Sequence, residues 1–177
     1  MQTQKQKAEA FRALHARKRV FIIPNPWDVG TAKILARLGF EALATTSAGF
    51  AFSSGVQDNR VGRDAMLAHV AEIAAATDLP VSADLENGFG DDPKTVADTI
   101  RLAATAGVSG GSIEDSIDRP GEKVYELAHA VDRVRAAVEA AHSLPFPFTL
   151  TARAENYLVG IPDLKDTIRR LHAYQEA

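Results

Sequence analysis

The sequence predicts an α/β protein built from a parallel array of βα units. Three observations lead there. Short apolar runs alternate along the whole chain with stretches whose apolar residues recur at helical spacing. Several runs are continuously apolar rather than alternating, as strands buried on both faces are. Each later run turns polar in its last residues, and an amphipathic stretch follows it. A right-handed parallel arrangement is the default packing of such units. Periodicity does not decide between an open sheet and a closed barrel.

The elements follow in order. Helical spacing covers residues 4–17. A strand at Val20, Phe21, Ile22 and Ile23 ends in Asn25-Pro26-Trp27-Asp28. A helix over about 30–38 places Ile34, Leu35 and Leu38 on one face. The second strand, 42–47, leads into a long Gly/Ser loop from Ala48 to Asn59. A helix over about 63–77 carries Met66, Leu67, Val70, Ile73 and Ala74 at helical spacing. The third strand, 80–86, ends in the turn Asn87-Gly88-Phe89-Gly90. Asp92 and Pro93 are an N-cap and first-turn proline for the next helix, and Gly107 sits where an αL cap ends it. The fourth strand is about 111–115. A helix over about 122–142 puts Leu127, Val131, Val134 and Val138 on one stripe, the fifth strand is 148–154, and Pro162 opens a last helix.

Bulk properties exclude several classes. The chain has 177 residues, 46% apolar and 24% charged, which is ordinary for a soluble domain. A net charge of −3 argues against nucleic acid as the main partner. With no cysteine there is no disulfide, thiolate zinc site or cysteine nucleophile. No apolar run approaches the ~20 residues that span a bilayer, and residues 1–7 are polar rather than signal-like. A cytoplasmic location is the expectation. The five histidines show no ligand-like spacing.

The strand ends carry the chemistry. Side chains alternate along a strand, so Asp84 and Glu86 share a face, as do Thr151, Arg153 and Glu155, while Asp115 points away from Glu114. Carboxyl ends of parallel strands hold active sites in barrels and open sheets alike. Acids there, with one guanidinium nearby, fit a divalent cation and an anionic substrate. No G-x-G-x-x-G follows the first strand and no Walker motif occurs, which disfavours nucleotides.

The segments Asn25 to Asp28, Ser47 to Asp58, Ala83 to Gly90, Ile113 to Ser116 and Thr151 to Arg153 occur in order at strand ends. Together they closely resemble the isocitrate lyase/phosphoenolpyruvate mutase superfamily over nearly the whole chain. The resemblance implies a TIM-type (β/α)8 barrel with an N-terminal helix. Only about the first five βα units are present, so residues 1–177 are expected to form a single truncated barrel domain, since such barrels take ~250 residues. It also implies Mg²⁺ (or Mn²⁺), a small 2-oxo or 2-hydroxy carboxylate, and lyase chemistry through a metal-stabilised enolate. By position, Asp84 would bind the metal directly, with Glu86, Glu114 and Asp58 holding its waters. Arg153 would face the developing oxyanion, and it and Asp58 are the expected catalytic residues. Ser47, Ala48 and Gly49 would cradle the substrate carboxylate, with Trp27, Asn87 and Gly88 beside it. A full-length parent would be a homo-oligomer.

Two departures accompany the resemblance. Lyase members carry an acid/base cysteine after the fourth strand, where this chain reads Asp118-Arg119-Pro120-Gly121-Glu122-Lys123. The mutase members' Lys-x-Asn segment is absent too. What remains is the enolate half of the machinery, which suits an oxaloacetate-decarboxylase-like or hydrolytic cleavage. The other expectation is a catalytically inactive remnant that acts as an oligomerising or binding fragment.

Overall fold

A computed structural model describes residues 2–119 and 121–177; Met1 and Pro120 lie outside the described residues. The elements run α1 (Gln4–Ala16), α2 (Val29–Arg37), β1 (Leu43–Ala44), α3 (Ser47–Ser53), α4 (Arg63–Ala75), β2 (Val81–Asp84) and α5 (Pro93–Thr105). They continue with β3 (Gly110–Glu114), β4 (Ser116–Arg119), β5 (Glu122–Val124), α6 (Leu127–His142), β6 (Thr149–Arg153) and α7 (Leu164–Gln175).

Four strands form one parallel sheet in the order β1-β2-β3-β6, and β4 pairs antiparallel with β5. With its flanking helices the sheet is an α/β fold consistent with part of a TIM-barrel core. Register sets the later geometry. Asp84 lies opposite Ser112, and Glu114 lies opposite Arg153. The β3–β6 approach depends on a glycine. A Cβ on Gly110 would stand 2.4 Å from the Thr149 carbonyl oxygen and 3.0 Å from the Phe11 ring. Phe11 of α1 is buried at this amino end of the sheet.

The core is aliphatic and rich in alanine. Met66, Val70 and Ile73 of α4 pack with Val81, Ala83 and Leu85, and with Val96, Ile100 and Ala103 of α5. α5 and α6 make the most extensive helix–helix contact. Small residues permit it, because the buried side of α6 is Ala130, Arg133, Val134, Ala137, Ala140 and Ala141.

The expected helices at 4–17, 63–77 and after Asp92 are present, with Asp92 capping Lys94 N–H and Gly107 at φ +93°. Five details differ. Residues 20–23 form no strand, and Val20 and Ile22 are exposed. Pro24 and Pro26 follow and have no N–H to give a ladder, although Pro24 accepts a bond from Ala44 N–H. Ile34 and Leu38 face outward, and Ala32 is the buried residue of α2. The Gly/Ser stretch contains α3, whose N-cap Thr46 accepts from Gly49 N–H. Residues 122–124 belong to the β4–β5 hairpin, so α6 starts at Leu127, where Glu126 caps it. Pro162 precedes α7, which is capped by Asp163. Among the described residues no helix is long and apolar enough to cross a membrane.

Candidate active site

The carboxyl ends of β1, β2, β3 and β6 open onto a cleft of about 1810 Å³. Of the residues singled out from sequence, Ser47, Ala48, Asp58, Asp84, Glu86, Asn87, Glu114 and Arg153 line it. Trp27, Gly49 and Gly88 are not among its lining residues. Gly49 N–H serves the Thr46 cap, and a Cβ there would meet Thr46 at 2.5 Å and Trp27 Cβ at 3.2 Å. Trp27 thus packs on α3, half exposed. Gly88, at φ +81°, lets the turn press against Val96.

Asp84 ends β2 and is held from two sides. Its N–H donates to Thr45 Oγ1, and its Oδ2 accepts both N–H and Oγ–H of Ser47 at 2.9 Å. Ser47 therefore orients the carboxylate in this structure. Strand parity does not carry on to Glu86, because β2 stops at Asp84 and Glu86 turns to φ +49°. The residue is buried, and its Oε1 has no hydrogen-bond partner. Burial, then the charges of Asp58, Asp84 and Glu114, push its carboxyl up to about 7.

Glu114 is also pushed up to about 7, chiefly by burial, against the pull of Arg153. Its Oε1 pairs with Arg153 Nη1 at 2.6 Å and its Oε2 accepts from Ser116 Oγ–H. The same guanidinium lies 3.6 Å from Asp84 Oδ1 and donates from Nε to Glu155 Oε1 at 2.7 Å. Burial works against the Arg153 charge, but Glu114, Glu155 and Asp84 outweigh it and raise the pKa. Asp58 stands on the 57–65 rim, accepts from Asn59 N–H, and contributes through its field on Glu86. Asn87 is committed within its turn: Oδ1 accepts from Phe89 N–H and Nδ2 donates to Tyr125 Oη.

A positive charge suits this donor set, since a buried carboxylate oxygen lacks a partner and the Glu86 and Glu114 carboxyls are pushed up to about 7 by burial and neighbouring carboxylates. Among the described residues, however, no group of three or more His, Asp or Glu side chains is arranged to hold an ion directly. The fit is to a hard cation that keeps several waters, which is Mg²⁺ behaviour. Sequence reasoning did not single out Thr45 or Ser116 as partners of Asp84 and Glu114, whereas Glu155, which pairs with Arg153, was placed on its strand face. Ser116 sits within the Ile113–Ser116 motif, and Glu155 shares its strand face with Arg153, so both left a trace in the sequence.

Residues 11–177 match the family described as phosphoenolpyruvate phosphomutase. A solved Burkholderia cenocepacia J2315 protein, provisionally assigned as a lyase/mutase, is 65% identical with a TM-score of 0.96, covering 98% of this chain and 62% of that one. An oxaloacetate acetylhydrolase solved with its product oxalate is 27% identical with a TM-score of 0.89, covering 99% and 62%. The 2-methylisocitrate lyase of Escherichia coli (strain K12) is 29% identical over 177 residues, covering 96% of this chain and 58% of the relative. The chain thus spans about three fifths of the length of these relatives. Sheet order, cleft and family match agree, and the chain belongs to the phosphoenolpyruvate phosphomutase family of the isocitrate lyase/phosphoenolpyruvate mutase superfamily.

Proposed function

We propose that the cleft binds a small 2-oxo or 2-hydroxy carboxylate together with Mg²⁺ (or Mn²⁺), as the enolate-forming half of a lyase-type site. The observation that carries this reading is the buried Glu86 oxygen without a partner, beside Asp84, Glu114 and Arg153 at adjacent strand ends. A bound cation would supply Lewis-acid stabilisation of negative charge on a carbonyl oxygen. Asp84 would hold it, with Glu86, Glu114 and Asp58 accepting from its waters. Arg153 would present its guanidinium to the developing oxyanion, a fork that lysine cannot reproduce. Ser47 would turn its N–H and hydroxyl, now on Asp84, to the substrate carboxylate, with Ala48 beside it. That a relative at 27% identity holds oxalate supports the substrate class for this chain.

A second reading has its own observations. The chain has no cysteine, and among the described residues no three acids converge closely enough to grip an ion. Both favour a catalytically inactive remnant that acts as an oligomerising or binding fragment without turning substrate over. Homo-oligomeric assembly of the whole protein goes with either reading and is checked by sedimentation velocity.

The test is a thermal melt with Mg²⁺ and oxalate, alone and together, for the protein and for Asp84→Asn. Binding at one hundred times the dissociation constant adds ~2.7 kcal/mol to the native state. A rise that needs both ligands and vanishes in the variant supports the site. No rise in the wild-type protein sinks it. An oxaloacetate assay on the same samples separates the readings, because binding without product formation selects the second.

A further inference from the structure

We propose that Arg133, on α6 and outside the cleft, is a positioning residue that clamps the turn at residues 85–91 and through it sets the Glu86 carboxylate. The proposal rests on the reading of Glu86 given under Proposed function.

The turn is strained. Glu86 lies at φ +49° and Phe89 at φ +60°, both non-glycine residues in the left-handed region, with Gly88 at φ +81° between them. Such residues persist where their surroundings over-determine them. Here the surroundings converge on one guanidinium. Arg133 is 1% exposed. It donates from Nη1 to the carbonyls of Gly90 at 2.5 Å and Asp91 at 2.6 Å, and from Nη2 to the carbonyl of Asn87. Its guanidinium carbon lies 4.0 Å from the centre of the Tyr125 ring. Tyr125 in turn donates to Asp91 Oδ1 at 2.7 Å and accepts from Asn87 Nδ2 at 3.2 Å, while Arg119 pairs with Asp91 Oδ2 at 2.5 Å. Thr99 Oγ–H closes the ring on the Gly88 carbonyl.

A cation buried on three carbonyls is a costly way to hold a turn, since burial lowers the Arg133 pKa. An apolar side chain would serve packing against α5 equally well. What the fork adds is a fixed orientation for three carbonyls of the turn, those of Asn87, Gly90 and Asp91, and so a single path for the backbone that carries Glu86. The buried Oε1 of that residue has no hydrogen-bond partner among the described residues to fix it from the cleft side. The geometry is therefore supplied from behind.

The experiment compares the full chain with Arg133→Met, Arg133→Lys and Val134→Ala. Val134 is the neighbouring buried residue on α6 and touches no carbonyl of the turn in the contacts above. Two readouts are used: native-state amide exchange, and binding of Mn²⁺ alone by paramagnetic resonance. The expected result for Arg133→Met is exchange at Gly88 and Phe89 at least about tenfold faster relative to Ser109 and Thr149 in the sheet. Mn²⁺ affinity should fall about tenfold. Arg133→Lys, which keeps the charge but not the fork, should fall between. Val134→Ala should move all four amides alike and leave Mn²⁺ affinity unchanged. Uniform acceleration of the four amides in a folded Arg133→Met, or affinity equal to wild type, overturns the proposal. If the Met variant does not fold, Arg133→Lys and Tyr125→Phe carry the same two readouts. If the wild-type chain binds no Mn²⁺, the Glu86 site fails as a cation site, and the exchange ratio alone decides the clamp.

Discussion

Glu114, the last residue of β3, and Asp115, the residue that follows it, meet opposite fates. Asp115 is 3% exposed and fully supplied with donors: Glu155 N–H, Arg170 Nη1 at 3.1 Å and Tyr174 Oη at 2.5 Å. Arg170 also grips Asp166, whose carboxyl is drawn down to about 2 mainly by that bond. Burial, followed by the bond to Asp115, pushes the Tyr174 phenol far up, so it stays a donor. On the other face Glu114 shares Arg153 with Asp84 and Glu155, and the buried Glu86 Oε1 has no hydrogen-bond partner among the described residues. A carboxylate is a structural anchor where donors outnumber charges and a strained acid where they do not. The interior cluster docks α7 onto the sheet. In the mouth cluster one guanidinium, that of Arg153, is shared among three carboxylates.

The largest effect should come from the satisfied cluster. Asp115→Ala leaves Arg170 and Tyr174 buried without their acceptor and should cost about 3–5 kcal/mol in urea denaturation. A loss under about 1 kcal/mol would break the comparison at its stronger end.

Next comes pH. Glu86 and Glu114 ionise near 4.5 when unfolded and near about 7 when folded. Folding therefore favours their protonated forms, and their contribution is fully present below the unfolded value and lost as pH rises through about 7. Without added cation, urea stability should decline by about 2 kcal/mol between roughly pH 5 and pH 8. Asp166 runs the other way: its contribution is present above 3.8 and lost as pH falls toward about 2. The two windows do not overlap, so one pH series separates the clusters. A curve flat above pH 5 would show the mouth acids to be unstrained.

Smaller still, Glu86→Gln removes the unpaired charge and should raise stability by about 1 kcal/mol at pH 8 while weakening Mn²⁺ uptake. The matching change outside both clusters, Arg135→Ala, breaks an exposed pair with Asp132 on α6 and should cost under about 0.5 kcal/mol. Equal responses in these two variants would erase the distinction between mouth and surface.

The sequence carried the parallel βα order and the strand ends that hold Asp84, Glu114 and Arg153, because apolar runs and polar ends are local signals. It misread places where tertiary contacts decide. The 20–23 run reads as a strand by composition, yet Pro24 and Pro26 limit its pairing. Residues 48–53 read as the start of a Gly/Ser loop running to Asn59, although Thr46 is a usable cap signal. The α6 stripe was drawn through Leu127, Val131, Val134 and Val138, while the buried side is alanine-rich. Close helix contact selects small residues that hydrophobicity alone underweights. Arg133 shares the buried side with Ala130, Val134 and Ala137, and a charge at that spacing is the trace it leaves. Glu86 was expected on the Asp84 face by alternation. It reaches the same cleft through a left-handed turn, which no two-residue period foretells.

One hydrogen atom sets a limit on what evolution can try here. Gly110 lies opposite Thr149, with the Thr149 carbonyl 2.4 Å from where any side chain would begin. An alanine would wedge β3 from β6 at the amino end of a ladder whose other end pairs Glu114 with Arg153. In a scan of every substitution, Gly110 would score as intolerant as a reacting residue while standing at the opposite end of the sheet from the chemistry. Tolerance maps of this fold therefore mark two kinds of position, those that meet the ligand and those that keep the strands close enough to present it.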